Sequence, residues 1–580
     1  MTRGAETKQK TAQRFVGRVT LVMVFFALVA SSLVARAIHL QVLDKDFLNR
    51  QADTRHLRTE SISAHRGTIF DRNGEPLAIS TPVDSIWVNP KEFAGAVNRV
   101  PQLAKALDVQ SETLMRRITR SMDKEFLYLK RHLNPSAAER VMALKLPGIN
   151  VQREYRRYYP ASEVTGHLVG FTNIDDEGQE GLELAMNYWL EGEPGAKRVL
   201  KDRLGRSIEN VESIRPPHHG KDLRTSIDLR LQYLAYRTLK AAVKTHNARS
   251  GSVVILDVKT GEVLAMVNQP TYNPNDRSQF VAERYRNRAI TDIFEPGSSI
   301  KPLVVAAALE SGQYRPSSVV DTAPGFVNVG SKKIEDSRNL GRISLTTILA
   351  RSSNVGVTKL AMTLQPDQLW GVMTHFGLGE MTTSGFPGES AGMLTHYSNW
   401  RPISQATIAY GYGISVTPLQ LAQAYAAIGN HGVMQPISLF ATEEVSAGEQ
   451  VVSDDTATAV RRMLEEVVRP GGTGTKASVD GYRIAGKTGT AWKFAKGGYS
   501  EDKYISIFAG LAPASDPRLA TVVVIDEPGG ELYYGSDVAA PVFSDVMAES
   551  LRLLAVPPDA MPARDPGSVM QAMADRAVGQ

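Results

Sequence analysis

A chain of 580 residues is too long for one ordinary domain, and 42% hydrophobic with 22% charged residues is the balance of a folded protein, not a disordered one. It contains no cysteine, which excludes a structural disulfide and any cysteine-based metal or redox site. Of the net charge of +5, +4 sits in the first 18 residues, where Arg3, Lys8, Lys10, Arg14 and Arg18 face Glu6 alone; the remainder is near neutral and gives nucleic-acid binding little support.

The basic tail (1–18) is followed by 17 residues without a charge, Val19 to Ala35. Five cations ahead of such a stretch argue against a buried core helix and for an uncleaved transmembrane anchor over 19–36. The positive-inside rule then keeps the tail in the cytoplasm and places everything beyond Arg36 outside. A cleaved signal peptide is the alternative, because Ala35-Arg36-Ala37 has the form of a cleavage site.

Beyond the anchor, two short β-type runs flank Asn73-Gly74, a hairpin signal. Residues from about 90 to 150 read as amphipathic helices, "PSAAERVMALKL" among them. "YRRYYP" and "NIDDEGQEGLELAMNYWLEGEPG" read as a polar loop leading into a helix with a Gly/Pro stop. Arg66, Asp71 and Arg72 read as a structural ion network, and nothing between 36 and 220 forms a catalytic cluster. Pro216-Pro217 and Gly220 mark a boundary, after which Asp228 caps a long helix. "SGSVVILDVKTGEVLAMVNQP" is a second hairpin, and "YISIFAGLAPA" and "LATVVVIDEP" are strand-like near the other end. Strands at both ends with helices between them predict one sheet built from distant segments with a helical portion inserted. From Pro557 onward the chain is rich in Pro, Ala and Asp and reads as a loose tail.

Ser-x-x-Lys occurs three times, at Ser121/Lys124, Ser298/Lys301 and Ser500/Lys503. The first and third lie in charged stretches. Ser298 instead opens an apolar helix, because Pro302 is tolerated only in a first turn. There Lys301, three residues on, comes within reach of the Ser298 hydroxyl and can take its proton if burial or a neighbouring cation lowers its pKa. Ser-x-Asn occurs at Ser337/Asn339, in a charged loop, and at Ser352/Asn354, between two helical runs; the second suits a cleft. Lys259-Thr260-Gly261 is a hairpin tip, whereas Lys487-Thr488-Gly489-Thr490 reads as a strand. Gly489 lets a ligand backbone lie close, and Lys487, Thr488 and Thr490 suit a carboxylate. The amides of Ser298 and Thr490 could form an oxyanion hole.

The order Ser-x-x-Lys, Ser-x-Asn, Lys-Thr-Gly resembles the signature of penicillin-binding proteins and serine β-lactamases. "RGTIFDRNGEPLA", "RRYYP" and "GLELAMNYWLEGEPG" are similar to the amino-terminal module of class B penicillin-binding proteins, and "YGYGISVTPLQLAQAYAAIGNHG" and "YYGSDVAAPVFSDVM" to their transpeptidase domain. The resemblance is closest to the division-specific (septal), FtsI-type branch. It implies an α+β fold: one transmembrane helix, a pedestal or dimerisation module over 37–220, a transpeptidase domain over 221–556 with an antiparallel sheet flanked by helices, and a tail over 557–580. It further implies a D,D-transpeptidase with Ser298 as nucleophile, Lys301 as base, Ser352, Asn354 and Lys487 in proton transfer and charge stabilisation, and Thr488, Gly489 and Thr490 binding substrate. No metal or cofactor is implied. The implied partners are peptidoglycan stem peptides (a D-Ala-D-Ala donor and an amine acceptor), β-lactam antibiotics, and division proteins including the septal glycan polymerase FtsW, at the inner membrane with the catalytic domain periplasmic.

An elongation-specific class B enzyme and a D,D-carboxypeptidase share these motifs. A β-lactamase fits less well, since no Glu-x-x-Leu-Asn stretch lies between Asn354 and Lys487. A non-catalytic β-lactam sensor would not require Ser352, Asn354 and Lys487 together. Tyr410, Tyr412, Tyr533 and Tyr534 fit either a groove wall or core packing.

Overall fold

The computed structural model describes residues 3–43, 57–201, 207–276, 278, 281–442, 444–495 and 498–560. An N-terminal helix, Arg3–Ile38, runs on into a π-helical turn, His39–Leu43, and together they carry an unburied apolar stretch from Val16 to Gln41 with a mean hydropathy of 2.3. Its 26 residues reach about 39 Å at ~1.5 Å per residue, more than the ~30 Å of a bilayer core, and it fits a single-pass membrane anchor.

The rest divides into two compact units. One comprises Met1–Ala64, Pro82–Glu154 and Glu193–His219; the other comprises His65–Thr81, Tyr155–Gly192 and Gly220–Gln580. Thus 65–81 and 155–192, inside the expected pedestal module, belong to the compact unit that carries the C-terminal domain.

In the first unit, Leu57–Ile62, Gly195–Lys201 and Ser207–Arg215 form a three-stranded antiparallel sheet. A separate core joins Ile86, Val88, Leu129, Leu133 and Ile149 to the helices Val100–Leu107, Ser111–Thr119 and Pro135–Met142. The expected helical run from 90 to 150 is therefore interrupted by the strand Leu127–Leu133. Leu129 and Leu133, four residues apart and so on one face of that strand, both enter this core, and the pairing is irregular near His132 (φ 57°). "YRRYYP" is likewise not a loop start: Tyr155 to Tyr158 end the strand Ile149–Tyr158.

In the second unit, the Asn73-Gly74 hairpin forms, with Gly74 at φ 91° and Ile69 opposite Ala78. Arg66, Asp71 and Arg72 are structural but do not pair with one another. Fully buried Glu183 accepts from Arg66 Nε at 2.7 Å and from Arg157 Nε at 2.6 Å. Asp71 accepts the amides of Asn73 and Glu75 and, with its other oxygen, that of Leu229. Arg72 pairs with Glu262 at 3.3 Å.

The helices that shape the C-terminal domain are α1 (Leu229–Thr245), α2 (Lys301–Glu310), α3 (Leu345–Ala350), α4 (Asn354–Thr363), α5 (Pro418–Gly429), α6 (Asp454–Val468) and α7 (Gly535–Leu553). Asp228 caps α1 by accepting from the amide of Arg230, as its residue type predicts. The strands are β1 (Ser250–Asp257), β2 (Val263–Gln269), β3 (Ala485–Ala495), β4 (Gly498–Ala512) and β5 (Leu519–Asp526). They form one antiparallel sheet in the order β2-β1-β5-β4-β3, so the first two strands and the last three come from opposite ends of the domain. This is the expected sheet of distant segments.

Side chains alternate between its faces. Val253, Ile255, Phe508, Val523 and Ile525 share a core with α1 and α7, while Val254, Leu256, Ile507, Val522 and Val524 share one with the inserted helices. Helix α2 is buried from Lys301 to Ala308, so it reads as hydrophobic all round. The tail reading for 561–580 lies outside the described residues, but 557–560 are not loose: Asp559 accepts from the amides of Arg483 and Ser515.

Replacing Glu183 by Leu strands two buried guanidinium groups, and we expect a loss of about 3–5 kcal/mol, the usual cost of breaking a buried ion pair. Urea unfolding of the variant against the wild type measures it; a change under about 1 kcal/mol would contradict the ion network as a structural pin.

Candidate active site

The nucleophile candidate sits in a 3₁₀ turn, Gly297–Ile300, that runs directly into α2. Pro302 occupies the first turn of that helix, as expected. Two glycines make the turn possible. Gly297 has φ 51°, and Gly411, at φ 89°, lies so close that a Cβ there would meet Gly297 O at 2.1 Å. Ser298 is half-buried, and its Oγ makes no hydrogen bond among the described residues. Ser299 is buried and donates to Pro296 O at 2.6 Å, which leaves it no part in chemistry.

Lys301 is fully buried, and its Nζ does not bond Ser298. It donates instead to Ser352 O at 2.6 Å, Asn354 Oδ1 at 2.7 Å and Ser352 Oγ at 3.2 Å. The two carbonyl-type oxygens can only accept, so they use both protons of a neutral amine and leave its lone pair for a hydroxyl. Burial above all, and then the charge of Lys487, pushes the Lys301 pKa well below the ordinary lysine value, while Asp336 pulls it back up.

Ser352 is where the two helices meet. The amide of Ser352 donates to Leu349 O and that of Ser353 to Ile348 O, the bond pattern of a Schellman turn closing α3. Ser352 stands at the left-handed position (φ 57°) that glycine usually fills. Ser353 at once caps α4, accepting from the amide of Gly356 at 2.8 Å. One helix end and one helix start are thus joined back to back, and Ser352 is held at the junction with both its carbonyl and its hydroxyl on Lys301. A carboxylate from the charged loop secures it: Asp336 accepts from Ser353 Oγ at 2.5 Å and from the amides of Asn354 and Val355 at 2.5 and 3.1 Å.

Lys487 reaches the same hydroxyl from the sheet, 3.1 Å from Ser352 Oγ and 3.0 Å from Thr488 O. It is fully buried, and burial lowers its pKa to about 7. Strand β3 is the sheet edge, and it lies against the serine turn: a Cβ on Gly489 would meet Pro296 O at 3.0 Å, and one on Gly297 would meet Thr490 O at 3.1 Å. Thr488 Oγ1 donates to Thr473 Oγ1 at 3.0 Å, and Thr490 Oγ1 accepts from the amide of Gly535 at 2.9 Å, keeping its own proton free. Gly535 opens α7, and a Cβ there would meet Gly489 O at 2.3 Å, so only glycine lets that helix start against β3.

The structure therefore gathers Lys301, Ser352, Asn354, Lys487 and Thr488 into one hydrogen-bonded cluster, with the Ser298 turn packed on the Gly489-Thr490 segment. The other motif copies stay apart. Ser500 bonds Asp502, and Lys503 pairs with Glu527; Ser337 and Asn339 are exposed; the amides of Lys259 and Thr260 close a turn on Asp257. Ser121, expected at the surface, is buried, though Lys124 is exposed. Tyr410 is buried and Tyr534 exposed, with Tyr412 and Tyr533 between. Asp336, Thr473 and Gly535 were not legible as site residues; Asp336 is the direct neighbour of the rejected Ser337.

Residues 251–548 match the penicillin binding protein transpeptidase domain, and residues 61–225 match the penicillin-binding protein dimerisation domain. The chain belongs to the penicillin-binding protein transpeptidase family. It is 45% identical over 564 residues to peptidoglycan D,D-transpeptidase FtsI of Escherichia coli, covering 96% of this chain and 95% of that one. Among solved structures it resembles the apo transpeptidase domain of Burkholderia pseudomallei penicillin-binding protein 3 (43% identity, TM-score 0.54, 58% of this chain and 98% of that one). It also resembles a peptidoglycan synthetase from Bifidobacterium adolescentis (25% identity, TM-score 0.70, 88% of this chain and 98% of that one). A dimerisation domain ahead of a transpeptidase domain in an α+β chain, behind one apolar helix, is the class B arrangement the resemblance implied.

Asp336→Asn tests the clamp on Ser352. We expect penicillin acylation to fall about tenfold, since an amide cannot accept from all three partners. The midpoint of the acylation pH profile should move to lower pH, because removing an anion that favours protonated Lys301 lowers its pKa further. A midpoint that moves upward would contradict the coupling.

Proposed function

We propose that this penicillin-binding transpeptidase closes peptidoglycan cross-links at the division septum through an acyl-enzyme on Ser298. The observation that carries the reading is the convergence of two fully buried lysines, Lys301 and Lys487, on the single hydroxyl of Ser352 beside the Ser298 turn.

Neutral Lys301 accepts the proton of Ser298 as its Oγ attacks the carbonyl of the penultimate D-alanine of the donor. The amides of Ser298 and Thr490 stabilise the oxyanion. The proton then passes from Lys301 through Ser352, which is within 3.2 Å of Lys301 and 3.1 Å of Lys487, to the departing nitrogen of the terminal D-alanine. The C–N bond breaks, and an ester on Ser298 remains. The free Thr490 proton, with the Thr473–Thr488 pair, binds the terminal carboxylate in the field of Lys487, while Asn354, fixed by Lys301 and Asp336, orients the donor backbone. A primary amine of a second stem peptide attacks the ester, its surplus proton returns by Ser352 and Lys301 to Ser298, and an amide cross-link replaces the lost D-alanine.

β-Lactams would acylate the same serine and remain there. Near-full-length similarity to FtsI supports a septal role and, with it, division partners such as the glycan polymerase FtsW. The basic residues ahead of the apolar helix support a cytoplasmic N-terminus and a periplasmic catalytic domain.

Fluorescent penicillin labelling decides the nucleophile. We expect Ser298→Ala to lose label completely and Ser500→Ala to keep it; label on Ser298→Ala would overturn the assignment. In the wild type the acylation rate should rise with pH as Lys301 loses its proton, at a pH below the ordinary lysine range. A rate that falls as pH rises would exclude a neutral-lysine base.

A further inference from the structure

Three residues ahead of the nucleophile stands a carboxylate that the steps above do not use. Glu295 Oε1 accepts from the amide of Gly413 at 2.7 Å and from the Tyr499 hydroxyl at 3.0 Å. Its other oxygen, Oε2, is buried and has no hydrogen-bond partner among the described residues. No described cation forms an ion pair with it; Lys332, which acts on it electrostatically, is exposed. Burial raises the Glu295 pKa, the mark of a carboxylate short of positive charge.

The surroundings are aromatic and partly open. The Tyr412 ring lies 5.3 Å from that of Tyr499 and 6.4 Å from that of Trp492, and Phe494 stands edge-on to Tyr499 at 5.5 Å. Trp492, Phe494 and Tyr499 are all exposed, at 51%, 69% and 42%. They continue the edge strand β3 past Thr490 and into β4, along the side an extended peptide would follow. An unpaired carboxylate oxygen beside a cluster of aromatic rings suits an organic cation, through charge and cation–π attraction together. A second carboxylate or a plain apolar group would leave Oε2 as costly as it is now.

We infer that Glu295 and the aromatic rings of Tyr412, Trp492 and Tyr499 form a subsite for a primary ammonium group of a stem peptide. This rests on the transpeptidase reading of Ser298. The ammonium can belong to the donor, on a side chain next to the D-Ala-D-Ala end, or to the acceptor, as the amine held before it attacks the acyl-enzyme. Both present the same chemistry to Glu295, and both place it within a few residues' length of the reacting ester.

The experiment uses the full chain in detergent and reads ratios, so that a general loss of acylation in a variant cancels. In the donor arm, Nα-acetyl-L-lysyl-D-alanyl-D-thiolactate is compared with its form acetylated on the side-chain amine, by thiol release. In the acceptor arm, the fully acetylated donor is used, and transfer to Nα-acetyl-lysinamide is compared with hydrolysis. We expect the wild type to favour the free amine about tenfold in at least one arm, and Glu295→Gln to bring that ratio to near one, with partial recovery in Glu295→Asp. Collapse in the donor arm alone assigns the cation to the donor, and collapse in the acceptor arm alone assigns it to the acceptor; either supports the subsite. A wild-type ratio near one in both arms, or a ratio that Glu295→Gln leaves intact, overturns it. Thiol release by Ser298→Ala at the wild-type rate would instead sink the transpeptidase reading, leaving the two failures distinct.

Discussion

Everything around Ser298 depends on keeping two lysine side chains dry. Lys301 and Lys487 are both fully buried, and both donate to Ser352 Oγ. Two ammonium groups converging on one hydroxyl would repel in a medium that screens poorly, so the arrangement favours states in which at least one of them is a neutral amine. That is what the nucleophile proposed at Ser298 would need from its neighbour. The low pKa is thus a property of the packing of α2, α3, α4 and β3 and not of either lysine alone.

The pieces that hold this arrangement are small and rigid. Ser352 accepts a left-handed backbone conformation that costs an ordinary residue roughly 1–2 kcal/mol. The compensation is local: a Schellman turn behind it, a helix cap in front, and the carboxylate of Asp336 across both. The strain buys direction, placing the hydroxyl and the carbonyl of one residue on one amine. Glycines at 411 and 535 let backbone segments approach to distances that no side chain would permit, and those at 297 and 489 keep the serine turn and β3 in tight contact.

Much of this was legible in the sequence for definite reasons. Pro302 fixed the helix start, Asp228 had the chemistry of a cap, and strand-like apolar runs at both ends of the domain marked one sheet built from distant segments. The three motifs could be told from their copies because the copies lay among charges or, for Lys259-Thr260-Gly261, at a hairpin tip. What sequence spacing misjudged was the partner of Lys301. Three residues of separation put it near Ser298, but the decisive acceptors, Ser352 and Asn354, lie 51 and 53 positions away. Asp336, Thr473 and the Glu183 ion network were invisible for the same reason, since pairing across such distances leaves no periodic trace. The strand Leu127–Leu133 escaped because Arg131 interrupts the apolar alternation of Leu127, Leu129 and Leu133.

The order of strands in the sheet has a consequence for how the molecule comes into being. The serine turn, Ser352 and Asn354 all lie before residue 364, whereas β3, β4, β5 and α7 occupy 485–553. A chain emerging N-terminus first must hold β1 and β2 without their neighbour β5 until almost the whole polypeptide has been delivered. Until then Lys487 is absent, Ser352 has one lysine instead of two, and the serine turn lacks the strand that walls it. The serine turn is therefore made early and walled last, so an unfinished chain holds the Ser298 hydroxyl without the completed lysine cluster beside it.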